Sequence, residues 1–291
     1  MKVVFLGTGA SKPSPDRNVS SLAVIKGPEV LLFDCGEGTQ RQMLRSVRQS
    51  RLTRVFLTHF HGDHYLGLPG LLMTLSLQGR TRALEVYGPE GTASFVSHLL
   101  HSGYMELSFE LMVGELSSSV VRGSSYSVHS FPVNHGVPAL GYIIIEDDRR
   151  GRFDTKKAAA LGISGQCYAA LERDGTVEVN GNVIALSDVT GAVRKGKKVT
   201  YSGDTAPVVF PPEAMDTDLL IHEATFLSEK DRADTYHSTV DDAVTAARAI
   251  RAHRLVLTHI NARYTEEEFA EAVSSYPEDL VVAQDHLVLE I

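Results

Sequence analysis

Tryptophan is absent from this chain and cysteine nearly so: Cys35 and Cys167 are the whole complement in 291 residues. Two cysteines allow at most one bridge, which excludes a disulfide framework and agrees with a reducing compartment. No stretch approaches the ~18 consecutive apolar residues of a membrane span. After Met1-Lys2 only a few apolar residues precede Gly7, too short a run for an export signal, so a cytoplasmic protein without membrane association is expected. Cations are the minority, 28 Lys and Arg against 36 Asp and Glu, a net charge of −8. That balance excludes an evenly basic surface, and any affinity for a phosphate backbone has to come from local clusters. Apolar residues make up 43% of the chain, enough to bury the core of one α/β domain spanning 1–291.

Histidine is concentrated where it is present. Residues 59 to 64 read His-Phe-His-Gly-Asp-His. Solvated loop positions are the usual fate of a lone histidine, but they do not account for this density. Neutral imidazole and carboxylate are ligands suited to a divalent metal such as Zn²⁺. Arg54 to Thr58 has the look of a short buried strand, which places the hexapeptide on the turn leaving its C-terminal end. Alternate residues of such a turn, His59 and His61 against Asp63 and His64, can face two adjacent cations.

The remaining ligands must come from other strand ends. Arg54, Leu57, Thr58 and His59 are echoed by Arg254, Leu257, Thr258 and His259, two strands each delivering a histidine, as in two related half-folds facing one site. His135 follows a strand-like stretch and precedes Gly136, while Asp204 follows the run Lys198 to Tyr201. Strands are predicted at Val3 to Leu6, Val30 to Phe33, Val55 to Leu57, Leu140 to Ile145 and Leu255 to Leu257. Amphipathic helices are predicted from Thr39, burying Met43, Leu44 and Val47, and from Thr239, burying Ala243, Ala246, Ala247 and Ile250. A third follows Thr265, with Glu268 completing a capping box and Phe269, Ala272, Val273 and Tyr276 facing inward. Cys35 is expected to be packed core.

Taken together, these segments resemble the metallo-β-lactamase superfamily and, within it, the ribonuclease Z family of transfer RNA 3′-processing endonucleases. The resemblance runs through Phe5-Leu-Gly-Thr-Gly9, Arg17-Asn-Val-Ser-Ser21, Leu32 to Gln40, the hexapeptide, His135-Gly136, Ser202-Gly-Asp-Thr205, His222-Glu-Ala-Thr225, His237-Ser-Thr239 and Leu257-Thr-His-Ile-Asn-Ala-Arg-Tyr264. The His-Glu-Ala-Thr and His-Ser-Thr segments and the Arg-Tyr pair after the last histidine are the narrower marks. It implies an α/β four-layer αββα sandwich with an inserted arm. It implies two Zn²⁺ per subunit, with Mn²⁺ or Fe²⁺ as alternatives: His59, His61 and His135 on one, Asp63, His64 and His259 on the other, Asp204 shared. Asp63, Glu223 and His237 would be catalytic, Glu223 and His237 acting as the acid for the leaving ribose oxygen. Asp34 and His222 would support the ligands from behind.

Precursor tRNA is the implied substrate and a homodimer the implied assembly. RNA contacts are sought in residues 146–198, which hold ten Lys and Arg against eight Asp and Glu. Arg149, Arg150, Arg152, Lys156 and Lys157 open this stretch, and Arg194, Lys195, Lys197 and Lys198 close it; Arg17 is a further candidate. The chain departs from the family's pattern in three places. No proline lies in Gly162 to Tyr168, Pro15 and Asp16 stiffen the loop before Arg17, and His286 follows Ala283-Gln-Asp285. The other readings are a phosphodiesterase for small nucleotide diesters and a non-catalytic RNA-binding protein on the same fold. Dependence on the arm separates the first from a tRNA endonuclease, and metal content with chelation separates the second.

Overall fold

Alternation along the strands creates the layers. In the strand Lys2–Gly7, Val3 and Phe5 pack into one apolar cluster while Val4 and Leu6 pack into another. Leu219 and Ile221 likewise face away from Leu220. Strands buried on both faces read as continuous apolar runs, which is why these segments are legible as strands. The structure is a computed structural model that describes residues 1–232, 235–276 and 280–291.

Two units are distinguished, one of residues Met1–Ile145 with Lys197–Ile291, the other of Glu146–Gly196. The larger holds two seven-stranded sheets. The first runs, in spatial order, Val288–Glu290, Lys2–Gly7, Ser21–Lys26, Glu29–Phe33, Leu52–Phe56, Leu84–Gly88 and Leu111–Glu115. The second runs Leu280–Val282, Leu255–Thr258, Leu219–Glu223, Lys198–Tyr201, Leu140–Glu146, Tyr126–Pro132 and Val120–Arg122. Between the sheets lie Phe5, Phe33, Phe56, Tyr126, Tyr142, Val199, Ile221 and Val256. Helices Thr39–Ser46, Gly67–Leu77 and Thr92–His101 cover the outer face of the first sheet, through Met43, Leu68, Leu71, Leu72, Leu75 and Val96. Helices Val240–Ala249 and Glu266–Val273 cover the second, through Val240, Ala243, Val244 and Phe269. This is the expected αββα sandwich.

The helix starts follow the expected chemistry. Thr239 caps Val240–Ala249 with Asp242 completing the box, and Thr265 with Glu268 does the same for Glu266–Val273. Leu44 is a correction: expected in the core, it is 69% exposed, because the helix from Thr39 is two turns long and buries only its Thr39 and Met43 edge. Cys35 is fully buried, and that burial pushes its thiol pKa far up, as an unreactive core residue requires.

The smaller unit has its own core of Ala158, Ile163, Leu171, Ile184 and Val189. Helices Thr155–Ala160 and Gln166–Asp174 and the hairpin Thr176–Val179 with Asn182–Ala185 enclose it. Its boundary falls short of the one expected. Lys198 opens a strand of the larger unit and Lys197 pairs with Asp218 there, 2.6 Å. Without these two lysines, residues 146–196 hold eight Lys and Arg against eight Asp and Glu, so the unit is neutral rather than basic.

Candidate metal centre

Four of the seven expected ligands stand just beyond the C-terminal end of a strand. His59 follows Leu52–Phe56, His135 follows Tyr126–Pro132, Asp204 follows Lys198–Tyr201 and His259 follows Leu255–Thr258. The short helix Gly62–Tyr65, with His61 at its N-cap, turns Asp63 and His64 back toward them. Strands of both sheets therefore empty into one place, although these residues are up to 200 positions apart. Two backbones leave their strands in the left-handed region, Asp34 at φ 58° and His259 at φ 59°, conformations unusual for residues other than glycine.

Three imidazole nitrogens meet at one point: His61 Nδ1 lies 2.9 Å from His59 Nε2 and 3.0 Å from His135 Nε2. Ligands about 2.0–2.1 Å from a tetrahedral Zn²⁺ are separated by roughly 3.3 Å, so the triangle has the size of a metal's donor set. The outer nitrogens are fixed by hydrogen bonds, His59 Nδ1 to Thr58 Oγ1 at 3.0 Å and His135 Nδ1 to the Tyr236 carbonyl at 3.0 Å. Beside them, Asp63, His64, Asp204 and His259 bring their ligand atoms within 4.8 Å of one another. Asp204 Oδ2 stands between the two groups, 3.2 Å from His64 Nε2 and 3.1 Å from His259 Nε2, and 4.0 and 3.9 Å from His59 and His135 Nε2.

The electrostatics call for a cation. Burial lowers the pKa of His59 and His135, keeping their lone pairs available. Burial also disfavours charge on His64, but Asp204 and Asp34 outweigh it and raise that pKa well above the ordinary value. Asp204 is itself held well below the carboxylate range: burial opposes this, and the neighbouring His259 and His64 prevail. His64 Nε2 is nevertheless buried without a hydrogen bond, its approach to Asp204 being close in distance but poorly aligned. An orphaned nitrogen aimed at two carboxylates fits a metal ligand better than a core residue.

Asp34 meets the ligand cluster at His64, whose Nδ1 it holds at 2.9 Å. It also accepts from Thr58 N, Thr58 Oγ1 and Tyr201 Oη at 2.8, 2.9 and 2.9 Å. Glu223 is as fully engaged. Its Oε1 accepts from Thr205 N at 2.7 Å and from His237 Nδ1 at 2.8 Å; its Oε2 accepts from Thr225 Oγ1 at 2.6 Å and Ser238 N at 3.0 Å. The His237 ring stacks on His259, centroids 5.2 Å apart, so its unbonded Nε2 side belongs to the same site. Burial alone would lower its pKa, but the Glu223 hydrogen bond and charge raise it to about 9.

Residues 14–119 match the Metallo-beta-lactamase superfamily and residues 180–260 the Beta-lactamase superfamily domain. Over 289 residues the chain is 46% identical to the ribonuclease Z of Pyrococcus horikoshii, an alignment covering 98% of this chain and 94% of that one. The chain belongs to the ribonuclease Z family. Ribonuclease Z of Methanosarcina mazei is 42% identical over 299 residues, covering 100% of this chain and 98% of its own. The crystal structure of the short form of human tRNase Z superposes with a TM-score of 0.73 at 31% identity, covering 100% of this chain and 99% of that one.

Several sequence expectations land away from the centre of this ribonuclease Z site. His222 is buried on the helix side of its strand, its Nδ1 donating to the Glu223 carbonyl at 2.7 Å and its ring 5.9 Å from Phe210; it meets the site through the Glu223 main chain. Arg17 is buried and committed to Thr8 Oγ1, the Ala283 carbonyl and Glu266. Arg149, Arg150, Lys195 and Lys197 each pair with a carboxylate: Glu146, Glu172, Asp148 and Asp218. Arg152, Lys156 and Lys157 are exposed. Sequence reasoning missed Ser11, whose N–H reaches Asp63 Oδ2 at 2.8 Å, and Thr225, which holds His259 Nδ1 at 2.8 Å. Thr225 is visible as the last residue of His-Glu-Ala-Thr; Ser11 has no mark, because a main-chain donor leaves none.

Proposed function

We propose that this protein is a metal-dependent endoribonuclease that removes the 3′ trailer from precursor tRNA in the cytoplasm, leaving a 3′-hydroxyl on the tRNA and a 5′-phosphate on the trailer. The observation that carries the reading is the joining of the two ligand groups through Asp204 with the Glu223–His237 pair against them. His59, His61 and His135 would hold one cation, Asp63, His64 and His259 a second, and Asp204 both. Zn²⁺ suits this imidazole-rich set, with Mn²⁺ and Fe²⁺ as alternatives; bound there, such a pair supplies Lewis-acid charge for a phosphodiester and a water that ionises near neutral pH.

The chain's own residues do the rest. Asp34, Thr58, Thr225 and the Tyr236 carbonyl hold His64, His59, His259 and His135, four of the five imidazoles, in the orientation that turns the other nitrogen inward. Glu223 accepts the Nδ1–H of His237 in a hydrogen bond and favours the imidazolium form, whose Nε2–H can then give its proton to the departing ribose oxygen. The unit of residues 146–196 would grip the tRNA, and two copies of the chain would form the active dimer. Neutrality of that unit narrows the grip to those of its exposed cations that stand outside the ion pairs with its carboxylates, Arg152, Lys156, Lys157 and Arg194.

The test is cleavage of a trailer-bearing precursor by the purified protein, mapped to the nucleotide, with His61→Ala as the control. Cleavage after the discriminator nucleotide, lost in the variant and on chelation, is expected; equal cutting by both proteins would end the reading. Sedimentation at the mass of one subunit would remove the dimer.

A further inference from the structure

Tyr236 serves the site through its carbonyl, which accepts from His135 Nδ1 at 3.0 Å, while its ring has no part in the chemistry above. The main chain around it is held on the other side too: His237 Nδ1 and Ser238 N meet Glu223 at 2.8 and 3.0 Å, and Arg232 Nη1 donates to the His237 carbonyl at 3.4 Å. The side chain is not held in this way. Among the described residues two aromatic rings are classed as exposed, Tyr104 and Tyr236, and of these Tyr236, 53% exposed, is the one beside the metal centre. Its Oη has no hydrogen-bond partner among the described residues.

Glycine makes room for the ring. A Cβ at Gly136 would stand 2.7 Å from Tyr236 Cδ2 and Cε2, so the ring lies directly over that residue. Gly136 follows His135, whose ring centroid is 4.9 Å from that of His237. Val137, next along and 41% exposed, continues the apolar surface. A rigid main chain thus presents a half-bare aromatic ring a single residue away from both a metal-ligand candidate and the general acid. Such a ring loses little freedom when a flat partner covers it. Every nucleobase offers a π face, and stacking on an aromatic side chain tolerates any sequence.

Position selects the base. Cleavage that leaves a 3′-hydroxyl on the tRNA makes the departing oxygen the 3′ oxygen of the discriminator nucleotide, and His237 gives that oxygen its proton. The base on the same ribose is the one carried next to Tyr236, whereas the first trailer base lies across the scissile phosphate. We propose that the Tyr236 ring stacks on the discriminator base and so sets the leaving ribose against His237. This rests on the ribonuclease reading and adds a substrate contact to it. A phosphate is a poorer occupant, because the ring presents a negative face.

The experiment is steady-state cleavage by wild type, Tyr236→Phe and Tyr236→Ala of three precursors: intact, abasic at the discriminator, and abasic at the first trailer nucleotide. Metal content is measured for each protein. Tyr236→Ala is expected to raise KM about tenfold on the intact and trailer-abasic precursors, with a much smaller effect on kcat, and to leave KM unchanged from wild type on the discriminator-abasic one. Tyr236→Phe, which keeps the ring, should match wild type on all three. Metal content should hold throughout, because the bond to His135 comes from the main chain. A tenfold loss that persists on the discriminator-abasic precursor overturns the inference, as does no loss on the intact one. Loss of metal in Tyr236→Ala would also overturn it, making the ring a support for His135. If wild type cuts no precursor, the ribonuclease reading fails by itself. Fluorescence of a trailer-less tRNA ending in 2-aminopurine then decides on Tyr236, and a chain without tryptophan adds little background. Stronger quenching by wild type and Tyr236→Phe than by Tyr236→Ala supports stacking; equal emission in the three complexes counts against it.

Discussion

Glu223 and His237 show how a residue's partners set its chemistry. Five donors converge on one buried carboxylate, and one of them is the imidazole whose pKa is thereby lifted from 6.5 to about 9. Because the folded value is the higher, the ion pair contributes stability below pH 6.5 that is lost as pH rises through about 9. NMR titration of His237 in chelated protein should therefore place it near 9, and Glu223→Gln should return it toward its ordinary range. In the metal-loaded protein, Glu223→Gln and His237→Ala are each expected to lower kcat about 10²–10⁴-fold with bound metal retained, the range for loss of a general acid. Loss of metal instead would make the pair a ligand support. Asp34→Ala removes the brace on His64 Nδ1, and metal affinity measured by competition with a chelator should fall about 10–100-fold.

At the scale of elements, what matters is where strands and helices stop. The box of Thr239 and Asp242 fixes the start of helix Val240–Ala249 and with it the two preceding residues, Ser238 and His237, that meet Glu223. Thr239→Ala should cost about 1 kcal/mol in denaturant unfolding, with a loss of activity out of proportion to that cost, because the helix frays at the end that holds His237. Gly203, at φ 60° between the strand Lys198–Tyr201 and Asp204, is a second such stop. A Cβ there would lie 2.9 Å from Thr58 Cγ2 and 3.0 Å from the Leu140 carbonyl, so Gly203→Ala should displace Asp204. Metal content below that of wild type in a still folded variant would be the sign.

For the molecule as a whole, the break between the two units is favourably placed. Lys198 is the register partner of Ile145 in neighbouring antiparallel strands, so the chain leaves and re-enters the larger unit at adjacent points. Replacing residues 146–196 by a short Gly-Ser turn should leave folding and metal content intact and raise KM for precursor tRNA at least tenfold, a loss read directly in cleavage assays. Undiminished cleavage would show that the unit does not grip the substrate. If the unit grips RNA, its neutrality should make that contribution less salt-dependent than a basic arm's, since fewer of its cations are free to displace counterions from the RNA.

Local chemistry is legible in the order of the residues. The hexapeptide at 59 to 64, the strand-end histidine at 259, the capping boxes at Thr239 and Thr265 and the double-faced apolar strands all depend on residues close together in the chain, where spacing sets geometry. Leu44 is misplaced by that reading because helix periodicity says which residues share a face but not how far that face extends under a sheet. The cations of 146–198 can be counted correctly, yet counting does not see Glu172 opposite Arg150 or Asp218 opposite Lys197. Asp34 bracing His64, Asp204 standing between the two histidine groups, and Tyr236 lying over Gly136 join residues from separate strands and loops. Only the closing of two sheets over a shared core brings those side chains within hydrogen-bonding or van der Waals distance, and forces of such short range act on no pair that the fold has not already brought together.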